Sequence, residues 1–295
     1  MGLRVMITGP TGTLGQELVQ KFKNAGLPFV AASRALERLP EGVRGLCLDY
    51  ENSLILEQAL SDVDVLFFLQ PFSAKMIDEA ARVIKAARNS GVEFILRISE
   101  IGAQAGSPYL FRHLHGQVEE MLAQSGIPYA FLKPAAYMQN FLRGYREALM
   151  QGTLFLPEGE GRTAFVDARD VADVAFEILK NPWGFSKKSL EITGTRALSN
   201  AEALAIISNC TRRRLSYVPV TEEAALRLWQ RAGMSPFESE IRLSLHRATR
   251  EGSTDRVFET FKKILGRPPR RFEDFCREMR SSWIPHSEGL ELSRQ

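Results

Sequence analysis

The stretch ITGPTGTLGQELVQKF, residues 7–22, limits the fold more than any other part of the chain. An apolar run, LRVMIT (3–8), leads into Gly9, Gly12 and Gly15. Leu14, Leu18, Val19, Phe22 and Ala25 then recur at helical spacing until Gly26 supplies a stop. This is strand, glycine turn, helix. In such a turn the first glycine permits a tight reversal, the second lets backbone approach a pyrophosphate, and the third lets helix and strand pack closely. The helix N-terminus adds unpaired N–H groups and the positive end of its dipole. Gly9, Thr11, Gly12, Thr13, Leu14 and Gly15 therefore form a candidate dinucleotide-phosphate cradle. The competing reading is a glycine-rich turn that binds nothing.

The same alternation continues downstream. Strands are predicted over 28–33, 46–48, 64–70, 92–99 and 127–133, and helices near 53–60, 75–90 and 110–125. Apolar runs buried on both faces and separated by helices imply an α/β fold with a doubly wound parallel sheet of the Rossmann type. After residue 134 the rhythm loosens into a helix from Tyr137 to Met150, a turn over 157–162, a short strand over 163–166, a helix over 168–180 and a strand from Ser189 to Thr193. Ser199 and Glu202 stand at capping-box spacing, so a helix starts there. Further amphipathic patterns cover 222–232, 236–250 and 254–265, and GRPPRRFEDFCREM closes with a short helix. Residues 1–150 read as an NAD(P)-binding domain. Residues 151–295 read as a small, mainly helical substrate-binding lobe, interleaved with the first and returning over the C-terminal edge of the sheet.

Composition removes several function classes. With 38 basic and 35 acidic residues the 295-residue chain has a net charge of +3, and its dense basic spots, Arg212 to Arg214 and Arg267 to Arg271, are short enough to be solvated loops. No nucleic-acid partner is expected. Cys47, Cys210 and Cys276 show no pairing pattern, which suits a reducing compartment without disulfides. No window approaches a membrane span and no leader pattern precedes the first strand, so a cytoplasmic location is expected. HExxH, GxSxG, GxxxxGK[ST] and clustered Cys/His spacings are absent, so metal, hydrolase and P-loop chemistry lack their parts, and no metal ligand is assigned.

The end of the second strand narrows the nucleotide. A carboxylate there accepts from the ribose 2′-hydroxyl of NAD, whereas this chain has Ser33 and Arg34, with Arg38 one helical turn on. Arginine favours a 2′-phosphate, so NADP(H) is the expected cofactor. Asp49, after the third strand, reads either as an acceptor for the adenine amino group or as a turn residue.

Several stretches together, TGPTGTLG, LQPF (69–72), SGIPYAFLKPAAYMQNF (125–141), FVDARDVA (165–172) and LSNAEA (198–203), resemble the NmrA-like branch of the atypical short-chain dehydrogenase/reductases over about residues 3–280. The branch includes NADPH-dependent reductases of quinones, triphenylmethane dyes and phenylpropanoids, as well as non-catalytic NADPH-sensing regulators. Pro10 departs from the usual Gly-Ala-Thr-Gly. The resemblance implies that Leu69, Gln70, Pro71 and Phe72 pass beside the cofactor, and that Ile98, Ser99 and Glu100 lie beside the ribose and nicotinamide. Both segments end parallel strands, where open α/β sheets bind ligands. Phe72 reads equally as substrate contact or as an aromatic cover on the core.

The usual Tyr-x-x-x-Lys pair is missing, since Tyr109 is followed four residues on by His113. The resemblance places His115 where phenylpropanoid reductases carry a lysine. It reads as a ribose or nicotinamide anchor, as a proton donor, or as a plain helix residue. His113, on a different helix face, is the weaker candidate. A quinone, iminium or cationic dye is already an activated electrophile, so positioning it against the nicotinamide supplies most of the rate. An apolar pocket for a small conjugated substrate is expected from Phe72, Tyr137, Met138, Phe141 and Trp229, with core packing the competing reading for Met138 and Phe141. The rival function is a redox-sensing regulator that binds NADP(H) and a protein partner. The sequence is equally compatible with a homodimer.

Overall fold

The computed structural model describes residues 2–284. Its chain order is β1 (Val5–Thr8), α1 (Thr13–Ala25), β2 (Phe29–Ser33), β3 (Gly45–Cys47), α2 (Ser53–Leu60), β4 (Val65–Phe68), α3 (Met76–Asn89), β5 (Phe94–Ile98), α4 (Leu110–Gln124) and β6 (Tyr129–Pro134). There follow α5 (Arg146–Gln151), β7 (Thr153–Leu156), β8 (Arg162–Thr163), α6 (Ala168–Lys180), β9 (Lys188–Ile192), β10 (Leu198–Ser199), α7 (Asn200–Thr211) and β11 (Ser216–Pro219). Four more helices, α8 (Glu222–Arg231), α9 (Pro236–Arg250), α10 (Thr260–Leu265) and α11 (Phe272–Glu278), complete the fold.

Seven strands form one sheet in the order β3-β2-β1-β4-β5-β6-β9, every neighbour parallel. The order reverses between β1 and β4, and at such a switch point the two flanking crossovers leave a crevice at the strands' carboxyl ends. β1 and β4 are buried throughout, which explains their unbroken apolar runs. One core layer packs α1 and α6 on the sheet through Leu18, Phe22, Val171 and Ile178. The other packs α2, α3 and α4 through Leu56, Val83 and Val118.

The second half of the chain is divided in use. Its α6 packs against α1 and its β9 extends the sheet beyond β6, whereas α7 and α11 build a separate core with Phe141, Phe165 and Trp283. Helix α9 then crosses back onto α4. The capping box at Ser199 forms as the spacing indicates, and a second one stands at Ser235 and Glu238.

Three sequence expectations are corrected. The helix expected over 137–150 is interrupted: a 3₁₀ turn, Met138–Phe141, precedes α5. The buried Gln139 side chain donates to Asp167 (2.8 Å) and accepts from the Ala168 N–H, and the Phe141 carbonyl accepts from the Trp283 indole (2.8 Å), so tertiary bonds override helical propensity. The strand expected over 163–166 is only β8, because beyond it Ala164 pairs with Thr254 and Val166 with Ala136. The helix expected over 254–265 reduces to α10, since Thr254 and Phe258 are tied to Arg162 and Thr193. The pairing of β7 with β11 had no counterpart in the sequence reading.

Candidate functional site

Two concavities meet at the carboxyl end of the sheet. The first, a groove of about 470 Å³, is lined by Gly9 to Leu14, Ser33, Arg34, Arg38, Tyr50, Leu69, Gln70, Pro71 and Tyr137. Its floor is set by Thr8, whose hydroxyl donates to the Leu69 carbonyl (2.8 Å) while accepting from the Leu69 N–H (2.8 Å), stitching the end of β1 to the end of β4. Gly15 lies under the loop, where a Cβ would stand 2.0 Å from the Gly9 carbonyl oxygen; only glycine lets α1 start this close to β1. Helix α1 has Gly12 as its N-cap, no side-chain cap and no acidic residue in its first turn. Its free N–H groups and positive dipole end therefore face the groove unneutralised, as an anion requires.

Arg34 and Arg38 flank the opposite end of the groove. Arg34 is exposed and makes no hydrogen bond or ion pair among the described residues, and Arg38 reaches only its neighbour Glu37, at 3.9 Å. Tyr50, edge-on to Phe68 at 6.4 Å, forms part of this wall and escaped the sequence reading because one aromatic after a turn carries no periodic signal. Asp49 does not line the groove, though its neighbours Leu48 and Tyr50 do, and its carboxylate accepts the Glu51 N–H (2.9 Å) as a turn residue does.

The second concavity, of about 410 Å³, is reached past Leu69, Gln70 and Tyr137, which line both. Phe72, Ser99, Glu100, Phe111, His115, Asn140 and Phe165 contribute to its wall, as does a polar group from the C-terminal lobe. In that group the Glu158 carboxylate meets Nδ1 of His246 at 2.5 Å and accepts from the Asn200 amide, while Arg242 and Arg256 border the same space.

His115 is 7% exposed and lies edge-on to Phe72, with ring centroids 5.2 Å apart. It is placed by α4, whose Gly116 lets the Gln104–Ala105 backbone press against the helix; a Cβ there would stand 2.1 Å from the Gln104 carbonyl carbon. Burial, reinforced by Arg97 and Lys133, holds the imidazole well below its ordinary pKa, so it is neutral at pH 7. Its Nδ1 is buried without a partner. A stranded lone pair costs less than a stranded N–H, which favours the tautomer carrying its proton on Nε2. Behind His115, Glu119 accepts from the Ser99 hydroxyl and from Lys133 Nζ (2.8 Å). Glu119 follows His115 by one turn of α4, and that spacing was the available signal. His113 is engaged elsewhere, its Nδ1 on the Ala105 carbonyl.

Glu100 follows β5 and is half-buried on the cavity wall. Burial pushes its carboxyl up to about 8 against the opposing pull of Arg112 and Lys133. Gln70 is fixed by donating to the Met76 carbonyl and the Glu79 carboxylate, both at 2.9 Å.

Two residues assigned to substrate lie off the wall. Phe141 is fully buried, edge-on to Phe165 at 5.2 Å and Phe272 at 5.3 Å, and so belongs to the lobe's aromatic core. Trp229 stacks on His246 (5.5 Å, 30° between planes) and supports that histidine from behind. Phe72 and Tyr137 are on the wall. Among the described residues no group of three or more His, Cys, Asp or Glu is arranged to hold a metal, and no helix is long and apolar enough to cross a membrane.

Comparison with known proteins agrees with this architecture. The chain is 32% identical over 278 residues to an NAD(P)H azoreductase of Xenophilus azovorans, spanning 92% of this chain and 96% of that protein. Among solved structures, a nucleoside-diphosphate-sugar epimerase from Staphylococcus aureus superposes with a TM-score of 0.83 at 26% identity, covering 94% of this chain and all of the other. The NADPH complex of an NADPH-dependent quinone oxidoreductase from Escherichia coli gives 0.83 at 24% identity, over 93% and 99% of the two chains. The family model described as the NmrA-like family matches residues 1–267, and the chain belongs to that family.

Proposed function

We propose that this protein is an NADPH-dependent reductase that passes hydride to a conjugated small molecule of the quinone, enone, iminium or dye type. The observation that carries the reading is the shared wall of Leu69, Gln70 and Tyr137, which joins a phosphate-binding groove to a separate cavity large enough for one small acceptor. The relation to an NAD(P)H azoreductase supports it.

NADPH, when bound, supplies the hydride. The chain's own groups do the rest. The uncapped N-terminus of α1 and the backbone of 9–14 hold the pyrophosphate, and Arg34 with Arg38 holds the 2′-phosphate. Pro71, Gln70 and Leu69 border the path from groove to cavity. His115, neutral and packed by Phe72, offers a hydrogen bond at the cavity wall and adds no charge there. Phe72, Phe111 and Phe165 give the acceptor aromatic faces and Leu245 adds an aliphatic one, while the Glu158, His246 and Asn200 group gives it a polar boundary.

The test is NADPH oxidation in the presence of 1,4-naphthoquinone, malachite green and a conjugated enone, alongside NADPH binding by calorimetry. Turnover of at least one acceptor with tight NADPH binding is expected. Stoichiometric binding with no oxidation across the panel overturns the reading in favour of a cofactor-sensing regulator.

A further inference from the structure

Resting on the reductase reading, we propose that Glu100 is its proton donor: the carboxyl protonates the oxygen or nitrogen anion that hydride transfer creates on the acceptor. Glu100 takes up the task that a tyrosine assisted by lysine performs where Tyr-x-x-x-Lys is intact.

The position is right for that role. Glu100 directly follows β5 and Ser99 and lies on the cavity wall with Leu69, Gln70 and Tyr137, the residues that join cavity to groove. Its carboxyl has no ion pair within 4 Å and no bond to another side chain among the described residues; the Ile101 N–H is the hydrogen bond that favours its ionised form, and burial outweighs it. The cations nearest to it are committed to other acceptors. Arg112 donates to the Ser253 hydroxyl and carbonyl, both at 3.0 Å, and Lys133 donates to Glu119 at 2.8 Å. They stand close enough to temper the cost of a carboxylate formed in turnover, yet neither bonds to it at rest, and the Arg112 Nε is left without a partner.

The other proton carriers around the cavity are spent or unsuitable. His115 on α4 is neutral and has little acid to give. Tyr137 is raised above its ordinary range by burial and by Glu100 itself, and Tyr145 is raised by burial and by Glu158. Tyr109 donates to Glu251 at 2.5 Å, and His113 is held by the Ala105 carbonyl. Glu119 is tied to Ser99 and Lys133. His246 lines the cavity but spends Nδ1 on Glu158, and its Nε2 is buried without a partner. Glu100 is the acid that remains.

The step balances. A quinone acceptor takes two electrons and a hydrogen as hydride and becomes a phenolate-like anion. Its oxygen then bonds to the Glu100 proton as the carboxyl O–H breaks, and a solvent proton restores the carboxyl before the next turnover. A carboxyl near 8 gives its proton downhill to a phenolate whose acid has a pKa of about 10. A triarylmethyl cation differs, because hydride alone converts it to the neutral product and no proton is needed.

The experiment compares 1,4-naphthoquinone with malachite green in wild type, Glu100→Gln and Glu100→Asp, with NADPH affinity measured in each. Glu100→Gln is expected to lower quinone turnover by roughly 10²–10⁴-fold. Its loss on the cationic dye is expected to be at least a hundredfold smaller, and Glu100→Asp should recover part of the quinone rate. Wild-type quinone turnover should fall as pH rises through about 8, and that limb should vanish in Glu100→Gln. Equal losses on the two acceptors, or an unchanged pH limb in the variant, overturn the proposal. Wild type that oxidises NADPH with none of the quinone, the dye and a conjugated enone overturns the reductase reading instead.

Thermal stability provides a readout independent of turnover. The folded state keeps the proton up to about 8 and the unfolded chain only to about 4.5, so the stability this carboxyl contributes is full below 4.5 and is lost as pH rises to 8. Glu100→Gln should therefore gain Tm relative to wild type between pH 5 and pH 9. A constant difference over that range means the carboxyl is ionised throughout and removes the donor.

Discussion

The groove and the cavity are neighbours made in different ways. The groove is centred on a glycine turn and a helix N-terminus from the first βαβ unit, with Tyr50, Leu69, Gln70, Pro71 and Tyr137 added around it. The cavity consists of side chains gathered from the ends of β4, β5 and β6, from α4, from 158–165 and from α9. A site built of backbone tolerates variation along its rim and demands glycine at its centre. One built of side chains from many segments is retuned whenever one segment changes. The family's dinucleotide end and its acceptor end are thus under different constraints, and substitutions should separate them.

The largest effect expected concerns a residue that belongs to neither region. Phe141 is enclosed by Phe165, Phe272 and Tyr145, so Phe141→Ala should cost about 3–5 kcal/mol of stability through lost burial and a residual void. Chemical denaturation should show this, while the folded fraction keeps wild-type NADPH affinity and the wild-type KM for an acceptor. A raised KM with unchanged stability returns Phe141 to the substrate wall.

That case also shows what the sequence could tell. The parallel sheet was legible, and the glycine loop and Arg34 that line one groove could be picked out, because each signal is local: periodicity within ten residues, a turn between strand and helix, a missing carboxylate at one strand end. Phe141 and Trp229 were misplaced because an aromatic pattern reports burial without saying against what. Glu158 and His246 stand 88 residues apart, and no local pattern announces that their side chains meet. Glu100 was within view as the end of a strand beside the nicotinamide. Its protonation, however, depends on burial and on Arg112 and Lys133 being committed elsewhere, and those are tertiary facts.

A smaller effect tests the dinucleotide end. Arg34 has no protein partner to lose among the described residues, so Arg34→Ala should leave stability nearly unchanged and weaken NADPH by roughly 10–100-fold, the worth of a charge-assisted phosphate contact. NADH, lacking that phosphate, should bind almost as before. Calorimetry with both dinucleotides decides: equal weakening of the two removes the 2′-phosphate assignment and leaves Arg34 as rim decoration. Acceptor KM should not move, because Arg34 stands at the far end of the groove from the cavity.

The smallest effect concerns His115, on the cavity wall. A neutral imidazole that donates one hydrogen bond to cofactor or acceptor is worth about 0.5–1.5 kcal/mol, so His115→Ala should raise KM or the NADPH Kd about two- to tenfold with kcat largely kept. Acid stability gives a separate sign. The folded state holds His115 unprotonated well below 6.5, whereas the unfolded chain takes up a proton there at about 6.5. Below that pH the unfolded state binds more protons, and wild type loses stability as pH falls from about 6.5, by at most about 1.4 kcal/mol per pH unit for one group. His115→Ala should lose less over the same window, so the two stability curves converge towards pH 5 even though the variant starts lower from its lost packing against Phe72. Parallel curves mean that His115 is protonated in the folded protein. A charged imidazole would then share the cavity wall with Glu100 and offer a second acid there, shifting the acid role from Glu100 back to the histidine.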